Sequence, residues 1–199
     1  MEPLDLDPDG YDGTYKLIGG RLSLDFINTV SWPQTESEHD WLSSTANLDR
    51  WCDANELSAS SSATDDDLAR AVTLRQELAA ALRPLAFGER PTRDAVEAVN
   101  SRFAAAVVQR RVDPEQLTWH WVAPADGFER LAPIVLDAAD ILTGGRHDRL
   151  RHCDACDWLF DDQSRNGRRR WCDMADCGSR AKSRSYYHRT KATNTRPNV

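Results

Sequence analysis

Four cysteines could do chemistry in this chain of 199 residues, and their spacing says which kind. Cys153 and Cys156 form a C-x2-C pair; after a fifteen-residue gap Cys172 and Cys177 form a C-x4-C pair. A short pair lets one turn of backbone present two sulfurs, the intervening loop returns the second pair, and Zn–S bonds of about 2.3 Å close a tetrahedral site. Four thiolates leave no position for water, so the pattern predicts one structural Zn2+ per chain and not a catalytic ion. A redox C-x-x-C needs a surrounding βαβ pattern that this region lacks. An iron–sulfur cluster also accepts four cysteines and stays open as the alternative. Cys52 stands alone on the apolar side of a short helical pattern and reads as a small core residue.

The opening residues, MEPLDLDPDG, are acidic and carry neither a basic nor an apolar stretch of a secretory signal. The longest apolar run, Phe103 to Val108, is far too short to span a membrane. The expectation is a cytoplasmic protein without membrane contact, in a reducing compartment where paired cysteines hold metal more often than disulfides. The net charge of −7 is unevenly spread. Residues 146–199 hold 13 Lys/Arg against 7 Asp/Glu, a net of +6, so residues 1–145 carry the remaining 12 against 25, a net of −13. Opposite charge suggests two parts with two roles.

The fold expected is mainly α with a small β component. Residues 1–14 read as a disordered acidic tail, 15–145 as a mainly helical domain, 146–192 as the metal module and 193–199 as a flexible tail. In "GGRLSLDFINTV", Gly19-Gly20 reads as a turn, while the apolar spacing of Leu22, Leu24 and Phe26 leaves helix and strand undecided. A short helix follows, with Thr45 as its cap. A second begins at the capping-box pattern Thr64/Asp67 and ends or kinks at Pro84. A third starts near Pro91 or Thr92, with Val96, Val99, Phe103 and Val107 on one face. "QLTWHWVAP" alternates as a strand, paired near Gly127 and Phe128. A last helix runs from about Leu131 or Pro133 to Thr143, and Gly144-Gly145 stops it and marks the domain boundary.

Within the metal module, Trp158–Phe160 and Arg169–Trp171 read as the arms of a β-hairpin turning at Ser164–Gly167, and a helix capped by Ser179 follows Cys177. Phe160, Trp158 and Trp171 read as a mini-core around the metal. Knuckle, hairpin and helix make a treble-clef-like arrangement. So small a piece cannot fold on its apolar surface alone, and zinc can supply on the order of 10–16 kcal/mol.

These residues carry a resemblance. Cys153, Cys156, Phe160, Asp162, Ser164, Asn166, Arg169, Arg170, Trp171, Cys172, Met174, Cys177, Gly178, Arg180 and Lys182 stand as in the CGNR-type zinc finger of bacterial proteins. The naming tetrapeptide reads CGSR here, with Ser179 in place of Asn. "GGRLSLDFINTV" and "DWLSSTANLDRWCDANEL" resemble the ABATE domain that precedes this finger, so the likeness covers nearly the whole chain. It implies a stress-response transcription regulator that binds DNA.

The charges suit that implication. Arg165, Arg168, Arg169 and Arg170 stand on or beside the expected hairpin tip; Arg180, Arg184 and His188 share one helical stripe, and Lys182 and Arg189 another. Such cations neutralise phosphates, and arginine can read guanine edges. Two other functions fit the same residues. The zinc module could be a docking surface whose basic helix meets an acidic partner or this chain's own N-terminal domain. Alternatively, Arg21, Asp25 and Asn28 could line a small-molecule effector pocket, or serve only as caps and ion pairs. A homodimer is a further reading. The sequence has no Gly-rich phosphate loop, HExxH or GxSxG, and His39-Asp40 have no nucleophile beside them, so no enzyme is expected.

Overall fold

The computed structural model describes residues 2–11, 13–57, 59–122 and 127–183. Among these, the helices are α1 (Leu22–Ile27), α2 (Thr45–Ala54), α3 (Asp65–Ala86), α4 (Arg93–Val107) and α5 (Ala132–Thr143). The strands form three antiparallel pairs: β1 (Val30–Ser31) with β2 (His39–Asp40), β3 (Arg110–Val112) with β4 (Trp119–Trp121), and β5 (Leu150–His152) with β6 (Leu159–Asp161). No described helix is long and apolar enough to cross a membrane.

The helices begin where local chemistry starts them. Thr64 and Asp67 form the expected capping box at α3. Thr92 accepts from the Ala95 N–H at α4, and Ser44, one residue before the expected Thr45, accepts from Asn47 at α2. Pro84 does not end α3, which runs two residues further. The helix is finishing there in any case, so the proline's missing donor and ring clash affect only its final turn. "LSLDFI" resolves as helix because its N-terminus is capped from outside: the Asp137 carboxylate of α5 accepts from the Ser23 N–H at 2.9 Å and the Ser23 hydroxyl at 2.5 Å.

The core is built around α3. Leu74, Leu78 and Leu82 are buried there against Leu24, Phe26 and Ile27 of α1, Leu48, Trp51 and Cys52 of α2, and Ile134 and Ala138 of α5. Burial pushes the Cys52 thiol up to about 12, so it is an inert packing residue. The same core continues without a break into Leu150, Leu159 and Phe160 of β5–β6, and α1 lies against α3, α5 and β6.

Three expectations are corrected. The opening residues are not a free tail: Leu4 pairs with Tyr15, Leu6 is buried, and the Asn47 side chain bonds the backbone of Asp7 in both directions. Two leucines inside the acidic run supply the apolar contact that composition hid. Strand β4 pairs with Arg110–Val112, not with the segment near Gly127: the Asp113 carboxylate accepts from the Glu115 and Gln116 N–H groups and turns the chain back onto the upstream strand. In the metal module β6 also pairs upstream, with β5, and Arg169–Trp171 is not a strand.

Asp25 is buried beneath this layer, where its carboxylate accepts from the Gly19 N–H at 2.7 Å and stabilises the Gly19-Gly20 turn. Burial lifts its pKa from 3.8 to about 7, against the pull of backbone donors at Gly19 and Ile18. Between those two values the folded state keeps a proton that the unfolded state releases, so ionisation costs stability as pH rises through the window. Asp25→Asn keeps a carbonyl acceptor and loses that cost. Denaturant unfolding from pH 4 to 8 is expected to show the variant gaining on the parent as pH rises; a constant difference would contradict it.

Candidate metal centre

Strands β5 and β6 are joined by the C-x2-C knuckle itself. The Cys153 N–H donates to the Trp158 carbonyl at 2.8 Å, and the Asp157 N–H returns to the Cys153 carbonyl at 3.0 Å. Asp157 takes φ 60° to make the corner, a left-handed conformation that aspartate tolerates. The second pair is set by a π-helical turn, Met174–Gly178, whose cap is Asp173, accepting from Ala175 N–H at 2.8 Å. The backbone stays helical from Ser179 to Ser183, so Ser179 lies inside the helical run and is not its cap. Gly178 packs closely here: a Cβ would come within 3.2 Å of the Met174 sulfur, the mobile end of an exposed side chain.

The four sulfurs converge to within 4.8 Å of one another, all buried. Cys156–Cys172, Cys172–Cys177 and Cys177–Cys156 are 3.6, 3.8 and 3.7 Å apart. A tetrahedron with Zn–S bonds of about 2.3 Å has edges of about 3.8 Å, so the cage has the size for one zinc ion. A multi-iron cluster, whose cysteines bind separate irons, needs a wider cage. No disulfide links these cysteines. One structural zinc fits this cage, held by all four sulfurs as thiolates.

Around the cage, polar side chains satisfy the loop. Buried Asp162 accepts from Ser164 and Arg169 N–H groups at 3.0 and 2.8 Å, and these bonds outweigh burial to keep its pKa low. The Arg169 guanidinium donates to the Cys172 carbonyl and lies 4.8 Å over the Phe160 ring. Arg170 pairs with Asp154 at 2.7 Å and lies over Trp171, and Arg180 pairs with Asp176 at 2.5 Å. Arg165, Arg168 and Lys182 are exposed and have no ion-pair partner among the described residues. Arg184, His188 and Arg189 lie outside the described residues.

The metal module is docked on the N-terminal layer through its backbone. The Asn28 amide donates to the Leu159 carbonyl at 2.8 Å, and the Leu159 N–H donates back at 2.7 Å. The Trp32 indole donates to the Ala155 carbonyl inside the first knuckle at 3.0 Å, and Arg83 donates to the Asp157 carbonyl at 3.0 Å. Lys16 pairs with Asp173 at 3.1 Å. Trp32 holds φ 48°, a strained value for a bulky residue, which its grip on the knuckle overrides. Trp158 donates to Ser31 and packs 5.4 Å from Tyr15, so the aromatic core around the metal is shared by both parts.

Arg21, Asp25 and Asn28 therefore do not form one pocket. Arg21 binds Asp137 and Asp140 at 2.8 and 2.6 Å, Asp25 supports the glycine turn, and Asn28 holds Leu159. Arg21 alone of the three borders a cleft of about 300 Å³, with Asp140, Arg146 and Asp161 around it. The polar character of Asn28 in an apolar segment was a signal in the sequence. For Trp32, Arg83 and Lys16 the sequence gives none, because their partners are backbone groups or residues far along the chain.

A buried four-sulfur cage on a knuckle and a helical turn, walled by a helical layer, defines a protein with a structural zinc finger. Residues 20–145 match the family ABATE, described as "Putative stress-induced transcription regulator", and residues 149–190 match the CGNR zinc finger. The chain belongs to the ABATE family and carries a CGNR zinc finger at its C-terminal side. A comparison with curated proteins finds no match. The two matches are thus to a regulator-type domain and a zinc finger.

Two outcomes check this geometry. Cys172→Ser should take bound zinc from one ion per chain to near zero, measured by metal release to a chromogenic chelator. Asn28→Ala leaves the buried Leu159 N–H and carbonyl without partners and should cost about 3 kcal/mol in chemical denaturation while zinc content stays at one.

Proposed function

We propose that the chain is a DNA-binding transcription regulator that presents cations to the phosphate backbone from its zinc finger, while the N-terminal part senses a signal or mediates dimerisation. The observation that carries this reading is the exposure of Arg165, Arg168 and Lys182 with no carboxylate partner among the described residues, in a chain whose remainder is strongly acidic. Four of the finger's own acids are engaged elsewhere: Asp162 in its loop, Asp173 with Lys16, Asp176 with Arg180 and Asp154 with Arg170. The cations left over favour an anionic partner, and zinc holds the surface that carries them rigid. Arg169 acts differently, through Cys172 and Phe160, and belongs to the finger's own structure.

Docking of the finger on the N-terminal layer uses the knuckle, β6 and Asp173, and leaves Arg180, Lys182 and Ser183 of the helical run exposed. Over the described residues 179–183, that supports nucleic acid over a helix docked on the rest of the chain. The cleft beside Arg21, Arg146 and Asp161 lies where α1, α5 and β6 meet, a place where a small effector would bear on both parts.

The test is binding of the zinc-loaded chain to mixed genomic DNA fragments at a series of salt concentrations, alongside Arg165→Ala/Arg168→Ala/Lys182→Ala. Loss of three phosphate contacts should lower the slope of log affinity against log salt by about 2–3 units with zinc retained. No binding at low salt by the folded, zinc-loaded chain would overturn the proposal.

A further inference from the structure

The apolar stripe of α4 is only half covered. Val99 is buried, but Phe103 and Val107, further along the same stripe, remain 38% and 44% exposed. The stripe continues onto the β3–β4 hairpin. Arg110 faces Trp121 and Val112 faces Trp119 across the strands, so all four side chains share one face. The Arg110 guanidinium lies 4.8 Å over Trp119 and 5.8 Å over Trp121. Trp119 is nevertheless 60% exposed, and Leu117, at the hairpin's turn, is 80% exposed and held at φ 54°. Phe103, Val107, Arg110 and Trp119 border a groove of about 450 Å³ floored by Leu136 and Ala139 of α5.

With Val112, these residues expose an apolar surface on the order of 500–600 Å². The largest patch on a typical monomer is about 300–600 Å², and a standard interface buries about 800 Å² on each partner. We propose that this α4 and β3–β4 surface is the interface between two copies of this chain. The exposed apolar area is close to the apolar share, about 60–65%, of the roughly 800 Å² that one side of a stable dimer buries. A twofold contact must be self-complementary, and the groove is bordered by Arg110 and by the exposed Asp140, whose carboxylate also holds Arg21. Nucleic acid is a poor occupant, because an apolar face offers phosphates nothing and the surrounding part of the chain holds 12 basic against 25 acidic residues. The proposal gives the dimerising role named above its surface, and it stands whether or not the chain binds DNA.

The test is sedimentation velocity of the zinc-loaded full chain without DNA, over about three decades of concentration around micromolar. Trp119→Ser and Leu117→Ser are measured beside it. Both side chains are mostly solvent-exposed, so far-UV circular dichroism and zinc content are expected to stay as in the parent. The expected result is a reversible dimer whose dissociation constant rises at least tenfold in each variant. A monomer throughout, or a dimer that neither variant weakens, would overturn the proposal.

Discussion

Four thiolates cannot sit within 4.8 Å of one another without a cation between them, and the rest of the structure hangs on that constraint. The ion draws the Cys153–Cys156 knuckle to the Met174–Gly178 turn. Because the knuckle is also the link between β5 and β6, holding it sets the register that places Leu159 and Phe160. Leu159 is the residue that Asn28 binds, and Phe160 is buried in the common core. The same closure aligns the Ala155 and Asp157 carbonyls with Trp32 and Arg83. The metal thus orders the N-terminal layer's docking surface as well as its own loop.

That coupling divides the arginines into two kinds. Arg169, Arg75 and Arg130 are structural: Arg75 forms two 2.6 Å contacts with Asp40, and Arg130 pairs with Asp49 at 2.5 Å, both while buried. Such pairs are costly to break because a lone buried charge remains. Arg165 and Arg168 are of the other kind, held at the surface by a loop that Asp162 ties together. Charge in the sequence shows that cations cluster in the finger; only the partners show which of them are free to meet another molecule.

Much of the fold was legible where the signal is local. The Thr64/Asp67 box, the start of α4 near Thr92, the burial of Cys52 and the four-cysteine cage all follow from neighbours a few residues apart. What the sequence hid depends on distant partners. The helix at Leu22 is capped by Asp137 from α5, and Leu6 is buried by a layer formed far downstream. The hairpin expected between Trp158 and Trp171 gave way to β5–β6 because the knuckle is itself a turn, and no periodicity records that. Phe103 and Val107 gave a true helical face, but sequence could not say that this chain alone leaves it open.

The central claim is that metal site and helical layer are one cooperative unit. Amide hydrogen exchange of the zinc-loaded and chelated chain measures it most directly. The account requires chelation to deprotect α1 and the β1–β2 pair along with β5–β6, since Asn28 and Trp32 lose their partners when the knuckle opens. Loss of protection confined to residues 150–183, with α1 and β1–β2 unchanged, would contradict it.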